Sequence, residues 1–211
     1  MRTADEAAAM VAKIISYESS NRSEEVLLVA DVSDTFDFEG ASTQLRALIP
    51  PNLRVNEIDR GGVDEATARA RLIEAINRGQ KVVNYLGHGS VNLWRGGLLT
   101  SDDAGLFENV THPSLFIMMT CLNGYSHEPA LDSLAEALLK ARGGAVAVWA
   151  SSGMTGPDGQ THINQEMCRL IFNSGGSTTL GEATNKAKAT VSDADVRRTW
   201  ILFGDPTMRL R

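Results

Sequence analysis

The chain has 211 residues, 43% of them hydrophobic and 22% charged, with a formal net charge of −6. That length fits one domain at roughly 150 residues each, and a domain of this size holds a core without disulfides or metal. Two cysteines, Cys121 and Cys168, exclude a disulfide framework or a multi-cysteine zinc module; the acidic balance speaks against a nucleic-acid partner, and no apolar run reaches the roughly 18 residues of a membrane span.

The start, Met1-Arg2-Thr3-Ala4-Asp5-Glu6, reads as the lead into a helix rather than a signal peptide. Ala7, Met10, Val11, Ile14 and Ile15 fall at helical spacing over residues 4–17, and Asn21-Arg22-Ser23 breaks that helix. Residues 26–30 are an apolar run short enough for a buried strand. An acidic loop with Asp31, Asp34, Asp37 and Glu39 follows, then a helix over 41–49 that Pro50-Pro51 ends. Residues 53–58 alternate faces as a strand, Gly61-Gly62 turns the chain, and Asp64 caps a helix that runs to Arg78 and stops at Gly79. Residues 81–86 form the next strand, which ends in Gly87-His88-Gly89-Ser90. Ser101-Asp102 opens a short helix, His112-Pro113 is a turn, and residues 115–120 are an apolar strand ending at Cys121. Ser133 and Glu136 match a capping box for a helix that stops at Gly143-Gly144. Residues 145–150 make another buried strand. A Gly/Ser/Thr-rich loop, helices over 163–173 and 180–191 and a strand over 200–203 complete the order. Continuous apolar strands alternating with helices predict an α/β fold, its parallel sheet covered on both faces, with no domain boundary inside 1–211.

Ligands and catalytic groups gather at the carboxyl ends of such strands. His88 and Cys121 each follow one, and each has glycine or small neighbours: Gly87-His88-Gly89-Ser90 and Thr120-Cys121-Leu122-Asn123-Gly124. Small neighbours let a substrate backbone come close and free N–H groups for an oxyanion. A cysteine and a histidine on adjacent strand ends are what a thiol nucleophile and its proton partner need. A lone cysteine is more often a small buried hydrophobe, which is the reading given to Cys168 beside Met167 and Ile171. Gly87-His88-Gly89 does not extend to a dinucleotide loop, because Asn92 stands where the third glycine belongs. Asp102-Asp103 reads as a helix cap rather than a metal site. His112 falls in a turn and His162 at a helix start, while His127, six residues past Cys121, is the substitute base. The acidic loop leaves a strand end and should overhang the same cleft; Asp31 is placed to orient His88, and Asp37 to receive a cationic substrate side chain.

Asn84-Tyr85-Leu86-Gly87-His88-Gly89-Ser90 and Thr120-Cys121-Leu122-Asn123-Gly124 resemble the histidine and cysteine motifs of the gingipain family of caspase-like cysteine peptidases. Ser133-Leu134-Ala135-Glu136-Ala137-Leu138, Gly144-Ala145-Val146-Ala147-Val148 and Phe203-Gly204-Asp205-Pro206-Thr207 extend the similarity, in order, over nearly the whole chain. The resemblance implies a caspase-like α/β/α sandwich with a mostly parallel central sheet, and endopeptidase activity. It implies Cys121 as nucleophile, His88 as acid/base, and the N–H groups of Gly89 and Cys121 as the oxyanion hole. It also implies a catalytic subdomain cut from a longer protein: residues 1–20 would join it to a preceding subdomain, a β-sandwich domain would follow, and the setting would be extracellular or at the cell surface. In basic-specific gingipains an acid lines the specificity pocket, and here the nearest positions are Asp37 and Glu39, which points to cleavage after Arg or Lys. The pocket aromatic of the family is missing; Ser151-Ser152-Gly153-Met154-Thr155-Gly156-Pro157 stands in its place. Some family members bind calcium, for which the sequence assigns no ligands; no other cofactor is expected. Two rival readings stay open: a weak or inactive caspase-like domain that serves peptide binding, and a different thiol or ester hydrolase on the same scaffold.

Overall fold

The computed structural model describes residues 3–20 and 23–210. Helix α1 (Ala4–Ser19) starts where Thr3 and Glu6 close a capping box. Strand β1 (Glu25–Ala30) comes next; of the expected break at Asn21-Arg22-Ser23, the first two residues lie outside the described part. Helix α2 (Phe38–Arg46) begins ahead of the expected residue 41, because the Asp37 carboxylate accepts the Gly40 N–H at 2.8 Å and caps it. Strand β2 (Arg54–Asp59) leads to α3 (Glu65–Arg78), with Asp64 as cap and Gly79 at φ 86° as its end, as the sequence predicts. After β3 (Val82–Leu86), strands β4 (Gly89–Ser90) and β5 (Leu93–Trp94) pair as a short antiparallel strap that the sequence pattern leaves as loop.

Asp103 then closes a capping box with Thr100 at the start of a short 3-10 helix (Ser101–Leu106) and forms a two-pronged pair with Arg69, so of the two acids expected to cap a helix Asp103 does. Strand β6 (Ser114–Met119), helix α4 (Leu134–Lys140) and strand β7 (Ala145–Ser151) follow, with Ser133–Glu136 as the capping box of α4. Helix α5 (Pro157–Asn173) starts earlier than expected, since proline suits the first helical turn. Helix α6 (Leu180–Ala189), a short α7 (Ala194–Thr199) and strand β8 (Trp200–Phe203) complete the chain. Helix α7 was not foreseen: it is a single capped turn and a half with only Val196 buried, too little to leave a periodic signature.

The sheet runs β2-β1-β3-β6-β7-β8, parallel except for β8, which pairs antiparallel with β7. Side chains alternate across it. Val26, Leu28 and Ala30 of β1 pack with α2, α5 and α6, while Leu27 and Val29 pack with α3 and α4. Helices thus cover both faces and the sheet is buried between two apolar layers, the three-layered α/β sandwich expected. One polar residue interrupts the β3 run: Asn84 exchanges amide hydrogen bonds with Asn164 of α5, at 2.8 and 3.0 Å, so neither buried amide is left unpaired.

Helix α1 buries only Met10, Lys13 and Tyr17. The Lys13 ammonium donates to the carbonyls of Leu139, Gly143 and Ala145 at 2.9, 2.9 and 3.2 Å, and to that of Ala141. Among the described residues no helix is long and apolar enough to cross a membrane.

Candidate active site

Because β1, β3, β6 and β7 are parallel neighbours, their carboxyl ends share one edge of the sheet. Leu86 of β3 is in register with Met119 of β6. His88 and Cys121 each stand two residues beyond that pair, so equal chain lengths deliver both to the same edge.

Two glycines let the histidine turn fold tightly. A Cβ on Gly87 would lie 2.4 Å from Asp31 Cβ, and one on Gly89 would lie 2.5 Å from Thr120 Oγ1. The turn is therefore wedged between the β1 exit and the residue before Cys121. Below it, Tyr85 donates its hydroxyl to the His88 carbonyl at 2.8 Å and stacks on Trp94, ring centroids 4.0 Å apart. Burial, chiefly, raises the Tyr85 phenol well above its usual range, so it stays a proton donor.

Asp31 is fully buried. It accepts the N–H groups of Val32 (2.9 Å) and His88 (3.1 Å) and faces Arg60 Nη1 and Arg95 Nε, both at 2.9 Å. Such a charge is tolerable inside a protein only when paired in this way. Asp31 was expected to orient His88, and the structure corrects how: its carboxylate holds the main chain, not the ring. The carboxylate at the ring is that of Asp34, whose Oδ2 lies 2.9 Å from His88 Nε2. The Arg95 hydrogen bond, foremost, brings the Asp34 carboxyl down to about 2, so it is ionised at any ordinary pH. Phe38 meets the ring edge-on, centroids 5.3 Å apart, and fixes its plane. Half of the His88 side chain stays open to solvent.

The cysteine loop is held as firmly. Leu122 has φ 61°, a left-handed conformation that a branched residue adopts only when its surroundings force it, at about 1–3 kcal/mol. The forcing contacts are Leu122 N–H to the Gly153 carbonyl (3.2 Å) and Gly124 N–H to that of Ser151 (2.8 Å). Asn123 reaches across to the carbonyls of Ser90 and, at 3.3 Å, Leu93, which ties the cysteine loop to the histidine strap. The Cys121 thiol donates to the Thr155 carbonyl at 3.7 Å, and among the described residues it makes no hydrogen bond to His88. No described residue accepts a hydrogen bond from the Cys121 N–H. Gly89 and Trp94 form the pair of the β4–β5 strap between its hydrogen-bonded positions, which turns the Gly89 N–H away from β5.

A groove of about 350 Å³ opens between α2 and α5, lined by Phe36, Asp37, Gln44, Asp158, Thr161 and His162. The helices that wall it begin beside the two site residues: Phe38, which meets the His88 ring, starts α2, and Thr155, which accepts from the Cys121 thiol, stands two residues before α5. Asp37 is thus in the groove, although its carboxylate also serves as the α2 cap. Glu39 is not: a Cβ on Gly61 would sit 2.1 Å from its Oε1, so its carboxylate turns to the β2–α3 loop. The sequence reading missed Asp158, whose Pro-Asp start of α5 was the available signal. It also missed Arg95 and the ring contact of Asp34, which are products of tertiary structure. Met154, 78% exposed, lies in the segment 151–157 that stands in place of the family aromatic. A larger groove of about 590 Å³, lined by Ser23, Leu53, Arg54, Gly79 and His112, lies at the opposite, amino end of the strands. His127 is exposed, with Tyr125 as ring neighbour at 5.3 Å. Among the described residues, no group of three or more His, Cys, Asp or Glu is placed to hold a metal ion, and no calcium ligands are assigned.

The sequence model of peptidase family C25 matches residues 1–211. The chain belongs to peptidase family C25. It is 28% identical to gingipain R2 of Porphyromonas gingivalis over 162 residues, which is 70% of this chain and 22% of that protein. The crystal structure of the Arg-specific cysteine proteinase gingipain R superimposes with a TM-score of 0.87 at 20% identity, over 100% of this chain and 54% of that one. A complex of the pro- and mature domains of Porphyromonas gingivalis RgpB superimposes with a TM-score of 0.82 at 19% identity, over 96% of this chain and 53% of that one. The C25 chain therefore has the caspase-like fold and spans about half of each solved gingipain, and less than a quarter of the curated relative.

The two cysteines of this C25 domain differ in the way a reactive and a structural thiol differ. Cys168 is 1% exposed, and burial pushes its thiol up to about 12, whereas Cys121 is partly open. Iodoacetamide at pH 8 is expected to label Cys121 in the native protein and to spare Cys168, with both labelled after unfolding. Peptide mapping reads the outcome; equal labelling of Cys168 in the folded protein would exclude the assignment.

Proposed function

We propose that this C25 domain is a cysteine endopeptidase that cleaves after Lys or Arg. In this reading the Cys121 thiolate attacks the scissile carbonyl, and the N–H groups of Cys121 and Gly89 receive the oxyanion. The Asp34 carboxylate at Nε2 keeps that nitrogen protonated, which leaves Nδ1 of His88 to exchange protons with the thiol and the leaving amine. Collapse of the tetrahedral intermediate expels the amine, protonated by His88, and leaves a thioester. Water, with His88 as base, hydrolyses it and returns the thiol. The observation that carries the reading is the delivery of His88 and Cys121, from adjacent parallel strands in register, to one edge of a C25 fold. The substrate is a peptide or protein, and the preceding subdomain and following β-sandwich implied by the resemblance belong to the same proposal.

The preference for a cation rests on Asp37 and Asp158 facing one groove, a pair of acids that a lysine or arginine side chain would neutralise. Asp37→Asn tests the charge alone, since asparagine caps a helix as well as aspartate. It is expected to lower kcat/KM on Lys and Arg substrates about tenfold, with Asp158 still present, and to leave cleavage after neutral residues within about twofold. A matched set of fluorogenic peptides measures this. An unchanged ratio between cationic and neutral substrates sinks the pocket assignment without touching the dyad.

A further inference from the structure

We infer that Arg95 is a positioning residue for His88: its guanidinium pins Asp34, so that the carboxylate is held at the imidazole. The inference rests on the proposed pairing of His88 with Cys121. Arg95 follows β5 on the histidine strap, where its own N–H donates to the His88 carbonyl at 2.8 Å. From there the planar head crosses to the loop after β1 and meets three acceptors at once. Nε faces Asp31 Oδ2 at 2.9 Å, Nη1 donates to Asp34 Oδ2 at 2.9 Å, and Nη2 donates to the Val32 carbonyl at 2.5 Å. Only a guanidinium can serve three acceptors in one plane.

The critical detail is that Arg95 and His88 converge on the same atom, Asp34 Oδ2. Apart from these two, the side-chain contacts of Asp34 stay inside its own loop: Thr35 Oγ1 at 3.4 Å and the Phe36 N–H at 3.3 Å. An exposed acid with only those ties would swing through solvent and lose entropy to stay at the ring. The charged and titratable groups around this pair have partners of their own. Arg60, after β2, pairs with Asp31 and with Glu65 of α3, Tyr85 of β3 holds the His88 carbonyl, and Asp37 is tied to Ser33. Asp31 therefore keeps Arg60 when Arg95 is removed, so an Arg95 variant does not strand a buried carboxylate.

The test is the rate of Cys121 alkylation by iodoacetamide against pH, in the whole chain, for His88→Ala, Asp34→Asn, Arg95→Gln and the Asp34→Asn/Arg95→Gln double variant. A thiolate formed near pH 6 needs an imidazolium partner, whereas near pH 10 a thiol ionises unaided. His88→Ala is expected to cut the pH 6 rate about tenfold or more, and the two single variants about three- to tenfold, with all rates converging near pH 10. The double variant should fall no more than about twofold below the worse single, because both changes remove one chain of contacts. A merely loosened site would alter the high-pH rate as well. If His88→Ala slows alkylation at pH 6 and Arg95→Gln does not, or if the two single losses multiply, the role of Arg95 is refuted and the pair stands. If His88→Ala changes nothing at pH 6, the pairing itself is refuted.

Discussion

Cys121→Ala is expected to bring peptide hydrolysis to background, a loss of roughly 10⁴-fold or more, because in the proposed mechanism this thiol carries the acyl intermediate. The only other cysteine, Cys168, is part of α5, buried against the sheet one turn from Asn164, and cannot substitute. The fold should be indifferent to the change. Cys121 is partly exposed, and its side chain makes one weak hydrogen bond, to Thr155, so the stability change should stay within about 1 kcal/mol. Turnover of a fluorogenic peptide and a thermal melt are the two measurements. Wild-type turnover in the alanine variant would end the nucleophile assignment.

His88→Ala should cost about 10²–10⁴-fold in kcat/KM, the range for a positioned acid/base, while His127→Ala should stay within about twofold. The contrast follows from how each ring is held. His88 has Asp34 on Nε2, Phe38 on its edge and its main chain gripped by Asp31, whereas His127 is exposed with Tyr125 as its ring neighbour. A catalytic group must be fixed before the transition state forms, and only His88 is. Equal losses in both variants, measured on one substrate, would transfer the proton role to His127 or divide it.

What the sequence made legible follows from range. The alternation of apolar strands and helices is a local signal, and so are the caps at Asp64 and Ser133; both appear in the structure where they were read. His88 and Cys121 could be named because strand ends in a parallel sheet share an edge by topology alone. Asp37 shows the limit: the pattern assigns it to the acidic loop ahead of a helix at 41, but Phe38-Glu39-Gly40 is already helical, and a glycine inside the first turn masks the cap. The partner of the His88 ring was out of reach, since Asp34 owes its position to Arg95, more than sixty residues away in sequence. For Asp31 the sequence indicated the place but not the task, because burial between two arginines depends on β2 and the strap arriving together.

Lys13 gives α1 a property that its sequence otherwise lacks. The helix buries only Met10, Lys13 and Tyr17 and leaves Ala4, Ala7, Ala8, Ala9 and Ala12 exposed, so apolar packing alone does little to set where it lies along its neighbour. The ammonium is different: its four carbonyls gather at one point, between the end of α4 and the start of β7. A slip of one helical turn would move it by about 5.4 Å and strand both partners. Burial pushes the Lys13 ammonium down to about 8, below the 10.4 or so of an unfolded chain, so carrying the charge costs stability below pH 8. That cost fades as pH rises from 8 toward 10.4. Lys13 is therefore a registry pin rather than a source of binding energy, and it sets α1 against the segment that enters β7, the strand whose far end carries the Cys121 support.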